Sequence, residues 1–163
     1  MKLVKQMPIQ YDIERIHKEW NDIRTKLNPN DWFNETQVSI HHSGDINYID
    51  GCGWKYEGEE NFIHINPLFK GTIFEEIIKD HDGYRARILL IKPLALYTMH
   101  QDWDKRMHLA IETNDSSFFI FPKDDQVHHI PVDGHLYETD TSKFHTYINS
   151  HHEKERIHMV FNI

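Results

Sequence analysis

The sequence predicts a mainly β protein of the jelly-roll class, a cupin-like double-stranded β-helix with N-terminal helices packed on one sheet. Three observations carry that expectation. From Tyr84 onward the apolar residues recur with period two, and Pro, Gly, Asn and Asp turns divide the stretch into about eight short segments. Before Tyr84, two stretches carry the three-and-four spacing of amphipathic helices. The last segment has a wholly apolar face, Ile157, Met159, Phe161 and Ile163, which needs a cover such as a helix.

Taken in order, Ile13, Ile16, Trp20, Ile23 and Leu27 form the stripe of a first helix, ended by Asn28-Pro29. Trp20 in that stripe reads as core. Residues 36–41 alternate like a strand, and 42–61, with Gly44, Gly51, Gly53 and Gly58, reads as loops or a hairpin. Thr72-x-x-Glu75 has the spacing of a capping box for a second helix, with Ile73, Phe74, Ile77 and Ile78 as its apolar face and Gly83 closing it. Strands are expected at 85–92, 95–100, 106–113, 117–121, 127–131, 135–139, 143–148 and 156–162. No repeat or linker interrupts the chain, so one domain is expected over 1–163. Within it, 1–83 is a helical and loop support region, and 84–163 is the jelly-roll core with the site.

A net charge of −8 and a pI near 5.9, with scattered Lys and Arg, argue against nucleic acid or a membrane surface as partner. A single Cys52 excludes an internal disulfide framework and fits a reducing compartment. No apolar h-region follows Met1-Lys2, so a soluble cytoplasmic protein is expected. Oligomeric state is not specified by any of this.

The chemistry concentrates in the second half, where His100-x-Asp102 is followed by His145 and, eleven residues later, by Arg156. On a strand, residues i and i+2 share a face, so His100 and Asp102 can grip one metal ion together. One remote imidazole completes the two-His, one-carboxylate facial set of non-haem Fe(II) oxygenases, which leaves positions open for a cosubstrate and O2. Arg156 then offers a planar, permanently charged fork to the far carboxylate of a dicarboxylic cosubstrate. With 14 His and 26 acidic residues, a bare His-x-acid pair is weak, since roughly two arise by chance. Context separates His100, at the end of the apolar run 88–99, from His17-x-Glu19 on a helix and His151-x-Glu153 in a polar turn. His128, His129 and His135 remain alternatives to His145 as the remote ligand. On the final strand, Arg156 and His158 face opposite to the apolar residues, and Arg106 and His108 repeat that scheme opposite Met107, Leu109 and Ile111. Charge aimed into a barrel implies an anion there, the alternative being edge strands whose polar faces are solvated.

Two stretches, RILLIKPLALYTMHQDWDKRMHLAIETN and GHLYETDTSKFHTYINSHHEKERIHMVF, together resemble the aspartyl/asparaginyl β-hydroxylase family of 2-oxoglutarate-dependent oxygenases, which includes bacterial proline-hydroxylase-like members. The shared elements are R-x-R ahead of a Pro, H-x-D, R-x-H before Thr113-Asn114, and a late H-x-x-x-N with R-x-H ten to eleven residues on. The resemblance spans Arg87 to Ile163, nearly half the chain. It implies His100, Asp102 and His145 as Fe(II) ligands, Arg156 on the distal carboxylate of 2-oxoglutarate, and His108 with Arg106 beside that cosubstrate. It also implies a turn or supporting role for Asn149, O2 as co-reactant, and hydroxylation of an amino acid, peptide side chain or related small molecule. Trp103, directly after Asp102, and Arg87, on a neighbouring strand, are the candidates for substrate contact. The family's Pro-Gly turn is Pro93-Leu94 here, so a different turn is expected. Two rival readings stay open: a metal-dependent cupin-type enzyme that does not use 2-oxoglutarate, and a non-catalytic jelly-roll binding module.

Overall fold

A computed structural model describes residues 1–55 and 57–163. After β1 (Val4–Gln10) come helix α1 (Ile13–Arg24), short strands β2 (Gln37–Ser39), β3 (His41–His42) and β4 (His64–Ile65), and helix α2 (Ile73–Asp80). Eight strands follow: β5 (Tyr84–Ile91), β6 (Ala95–Leu96), β7 (Arg106–Glu112), β8 (Ser117–Phe121), β9 (Gln126–His128), β10 (His135–Thr139), β11 (Thr146–Asn149) and β12 (Arg156–Asn162). With β1 and β2 they divide between a six-stranded sheet, ordered β1-β10-β7-β12-β5-β2, and a four-stranded one, ordered β6-β11-β8-β9, while β3 and β4 pair by themselves. From β5 onward the chain passes back and forth between the two sheets with antiparallel pairing throughout, which is the double-stranded β-helix the sequence predicts.

Period two decides what each face of the large sheet meets. Ile157, Met159 and Phe161 of β12 and Met107, Leu109 and Ile111 of β7 form one core with Ile16, Trp20 and Ile23 of α1 and Ile73, Phe74 and Ile77 of α2. The helices are therefore the cover that the apolar face requires, and Trp20 is a core residue. The opposite face, with Tyr137 and the polar side chains discussed below, lines the barrel against Phe119, Phe121 and Tyr147 of the small sheet. The expected capping box at α2 does not form. The Thr72 hydroxyl turns back to the Phe69 carbonyl, and the Ile73 N–H donates instead to Glu19 of α1, so a carboxylate from a neighbouring helix replaces the local cap.

The sequence gives no sign of β1. It is an edge strand with Pro8 inside it and Val4 as its one buried side chain, so it carries no alternating pattern. The expected strand at 95–100 shortens to Ala95–Leu96, with His100 forming an isolated bridge to His145.

In the Pro93-Leu94 turn, Leu94 adopts the left-handed conformation that glycine favours, at φ 55°, with its side chain mostly in solvent. That conformation costs a residue with a Cβ about 1–2 kcal/mol. Leu94→Gly is therefore expected to raise the Tm by a few degrees, at roughly 2–4 °C per kcal/mol, in a thermal melt. A lower Tm would show that the Leu94 side chain contributes more than its backbone costs.

His41 on β3 is buried and accepts a hydrogen bond at Nδ1 from the Ala86 N–H at 3.1 Å, which demands the neutral ring. Burial, then the neighbouring His42 and His64, pushes it down to about 4 from its ordinary 6.5. The unfolded chain binds this proton first on acidification, so the stabilisation is complete above about pH 6.5 and is lost as pH falls toward 4. At pH 5 the loss is about 2 kcal/mol. The urea midpoint is expected to fall between pH 7.5 and 5, and less so in His41→Gln, whose amide oxygen can accept from Ala86 without titrating.

Candidate metal centre

His100 and His145 are brought together by backbone pairing. The His100 N–H donates to the His145 carbonyl at 3.0 Å and the His145 N–H to the His100 carbonyl at 2.9 Å. Two residues on, the Asp102 N–H donates to the Thr141 carbonyl at 2.9 Å, extending the same antiparallel contact. The His-x-Asp pair thus converges through its pairing with the segment around His145, not through the face of a regular strand. One ligand atom from each of His100, Asp102 and His145 lies within 4.8 Å of the other two.

The two imidazoles are oriented alike. His100 Nδ1 donates to the Thr98 carbonyl at 2.6 Å and His145 Nδ1 to the Lys143 carbonyl at 2.8 Å, each two residues back along the chain. That bond fixes the tautomer and leaves the Nε2 lone pair for a ligand. His145 is fully buried, and its Nε2 has no hydrogen-bond partner. A buried nitrogen without a partner is costly unless something occupies its lone pair. This nitrogen, the His100 Nε2 and one carboxylate form the facial donor set that suits Fe(II) with open positions, so the residues present fit a non-haem iron. Among the described residues no other cluster of three His, Cys, Asp or Glu has this spacing. His17 is bonded to the Ile111 carbonyl, His129 to the Ser117 carbonyl and His135 to the Met7 carbonyl, all away from the cluster.

Beside the cluster, joined to it through Tyr147, lies a group of buried basic side chains. Arg156 is 3% exposed, stacks over Tyr147 with 4.6 Å between guanidinium carbon and ring centroid, and donates to His158 Nδ1 at 3.0 Å. Glu155 pairs with Arg24, so Arg156 is not the partner of a flanking acid. Burial lowers Arg156 to about 10, still cationic at neutral pH. Burial, reinforced by Arg156, also holds His108 and His158 well below the usual imidazole range, so both rings are neutral. His108 Nε2 shares a 2.8 Å hydrogen bond with the Tyr147 hydroxyl, while His108 Nδ1 and His158 Nε2 have no partner. Among the described residues this group therefore holds a guanidinium and unpaired imidazole nitrogens with no carboxylate partner.

Four arginines are buried on the inner side: Arg85, Arg87, Arg106 and Arg156. Arg85 and Arg106 both pair with Glu59, to which the Asn162 amide also donates, and Arg106 lies 3.7 Å from Asp102. Arg85 further donates to the Gly51 and Gly53 carbonyls, pinning the loop that carries Glu59 and Trp54. Arg87 and Arg156 have no such carboxylate. Arg87 lines a cleft of about 360 Å³ that opens onto His100 and Asp102, with Trp54, Tyr97 and Trp103 around it. Trp103 is largely exposed at its rim. Trp32 is elsewhere, packed edge-on against Trp20. Asn149 is buried and bonds the Ile91, Lys92 and Lys154 carbonyls together with Asn114 and Ser117, which locks the turns flanking β11.

Sequence reasoning did not single out Tyr147, Tyr97 or Glu59. Tyr147 has a signal, since it lies two residues from His145 on the same strand face. Glu59 has none, because its role comes entirely from a loop folding back onto the barrel.

No sequence-family model and no curated protein matches the chain. Solved structures do. A Pseudomonas putida prolyl-4-hydroxylase superposes with a TM-score of 0.59 at 14% identity, over 98% of this chain and 91% of that one. A 2OG-Fe(II) oxygenase family oxidoreductase from Burkholderia pseudomallei gives 0.57 at 12%, over 98% and 82%. A viral collagen prolyl hydroxylase from Paramecium bursaria Chlorella virus-1, in complex with 2OG, gives 0.52 at 11%, over 99% and 97%. The chain shares their fold. Among the described residues no helix is long and apolar enough to cross a membrane.

Proposed function

We propose that the protein is a 2-oxoglutarate-dependent Fe(II) oxygenase that hydroxylates an amino acid, a peptide side chain or a related small molecule. The observation that carries this reading is a pairing of two features. A facial His-Asp-His cluster has both imidazoles preset for a metal, and a buried guanidinium without a carboxylate lies beside it. His100, Asp102 and His145 would hold the iron. Arg156 would take the distal carboxylate of 2-oxoglutarate in a charge-assisted fork, with His108 and Arg106 beside the cosubstrate. Bound Fe(II) and 2-oxoglutarate supply, with O2, the oxidising power for C–H hydroxylation, with succinate and CO2 as co-products. The barrel residues supply position and dryness: Phe119, Phe121 and Tyr147 wall off His145 from water. The shared fold of the prolyl hydroxylases supports the class. The finer placement among aspartyl/asparaginyl β-hydroxylases rests on H-x-D, R-x-H and the Arg156 spacing. The buried guanidinium favours this reading over a cupin-type enzyme without 2-oxoglutarate, and the preset imidazoles favour it over a binding module.

Anaerobic titration of the Fe(II)-loaded protein with 2-oxoglutarate tests it, through the weak visible charge-transfer band of the chelate, followed by succinate release on admitting O2. A saturable band is expected. Bound metal without a band would turn the assignment toward the cupin-type enzyme, and failure to retain any metal toward the binding module.

A further inference from the structure

We propose that the primary substrate is a small molecule bearing a free carboxylate, which Arg87 and Tyr97 receive in the cleft beside the metal cluster. The inference deepens the function proposed above and rests on it for the reaction catalysed. Arg87 is 8% exposed, its Nε has no hydrogen-bond partner, and its Nη1 reaches only the Arg85 carbonyl at 3.5 Å. Such a cation is expensive to bury without an anion. Its neighbours Arg85 and Arg106 are already served by Glu59.

Tyr97 adds a donor. Gln37 Oε1 accepts from the Gly53 N–H at 3.1 Å, which orients the amide so that Nε2 donates to the Tyr97 hydroxyl oxygen at 2.7 Å. The Tyr97 proton is thereby left over, in the same cleft as Arg87. This anion site is separate from the one at Arg156. On the paired strands Arg87 lies opposite Val160 and Arg156 opposite Ile91, so the two are rooted about 13 Å apart along the barrel. That spacing favours two anions over a single shared one. Trp54 and Trp103 flank the cleft and suit a flat or apolar body. An internal residue of a polypeptide offers a carboxylate here only through an Asp or Glu side chain.

The test uses the anaerobic Fe(II)–2-oxoglutarate protein and follows tryptophan fluorescence, which Trp54 and Trp103 place in the cleft. Probes are the proteinogenic L-amino acids and short monocarboxylic acids, each beside its primary amide. At least one acid is expected to change the emission saturably, with its amide weaker by about tenfold or more. Arg87→Met is expected to weaken that acid to the same degree and leave the 2-oxoglutarate requirement of the chelate band unmoved, while Arg87→Lys recovers part of the binding. Removing an unpaired buried charge should leave the Tm of Arg87→Met equal or higher, so the variant remains interpretable. Amides binding as well as acids, no acid binding at all, or an Arg87→Met variant needing more 2-oxoglutarate would each overturn the proposal. Absence of the chelate band in wild type would instead overturn the oxygenase reading, while Arg87-dependent acid binding would still stand.

Discussion

His145→Gln is expected to lower Co(II) or Fe(II) affinity by about a hundredfold or more, while His135→Gln leaves it unchanged. The argument is local. His145 Nε2 is a buried nitrogen with no partner, aimed at the cluster it shares with His100 and Asp102, whereas the His135 ring is spent on the Met7 carbonyl at the β1–β10 edge. Glutamine has a similar reach but a harder, weaker donor, and it gives up the Nδ1–H bond to the Lys143 carbonyl that aims the ring. Losing that bond costs the fold only about 1 kcal/mol, so the variant should give a native circular dichroism spectrum. Calorimetric titration with Co(II), checked by its visible d–d absorption, reads the effect. Equal affinity in wild type and His145→Gln would remove His145 from the ligand set. A loss in His135→Gln would place the metal elsewhere.

What could be read in advance followed from periodicity, and what could not followed from its absence. The strands at 117–121, 135–139 and 156–162 coincide with β8, β10 and β12, because each has one face on the barrel and another in a different setting, the helices for β10 and β12 and partial exposure for β8. β1 escaped because an edge strand with one buried residue has no alternation to show. His100 and Asp102 were legible as a pair, yet the geometry that unites them is tertiary: a two-residue bridge and one further bond to the segment 141–145, which no local pattern encodes. The inward aim of Arg156 and His158 was legible from the apolar residues opposite them. The division of the buried arginines was not. Whether a guanidinium is served by a carboxylate depends on Glu59, which reaches Arg85, Arg106 and Asn162 from a glycine-rich loop. That division matters for function, since among the described residues it leaves Arg87 and Arg156 as the buried arginines without a carboxylate partner.

Arg156→Met should oppose stability and function most clearly. Arg156 is buried, keeps its charge at neutral pH despite being lowered to about 10, and has an imidazole nitrogen and two aromatic faces for company instead of an anion. Replacing an unpaired buried cation with an apolar side chain of similar length removes a desolvation cost, so the Tm of the protein without cosubstrate should be equal or higher. The cosubstrate loses its fork and must bury a carboxylate unpaired, a combined penalty of about 3–5 kcal/mol. The 2-oxoglutarate concentration at half-formation of the chelate band should therefore rise by about a hundredfold or more. Arg156→Lys, which keeps the charge but not the planar fork, should fall between the two. The direction of failure is informative. If Arg156→Met formed the chelate at the wild-type concentration but lost its response to carboxylate probes in the cleft, Arg156 would hold substrate, and the anion assignments of Arg156 and Arg87 would exchange. If it lost both stability and binding, the guanidinium would be anchoring the barrel through His158 and Tyr147, and the free cation would be Arg87 alone.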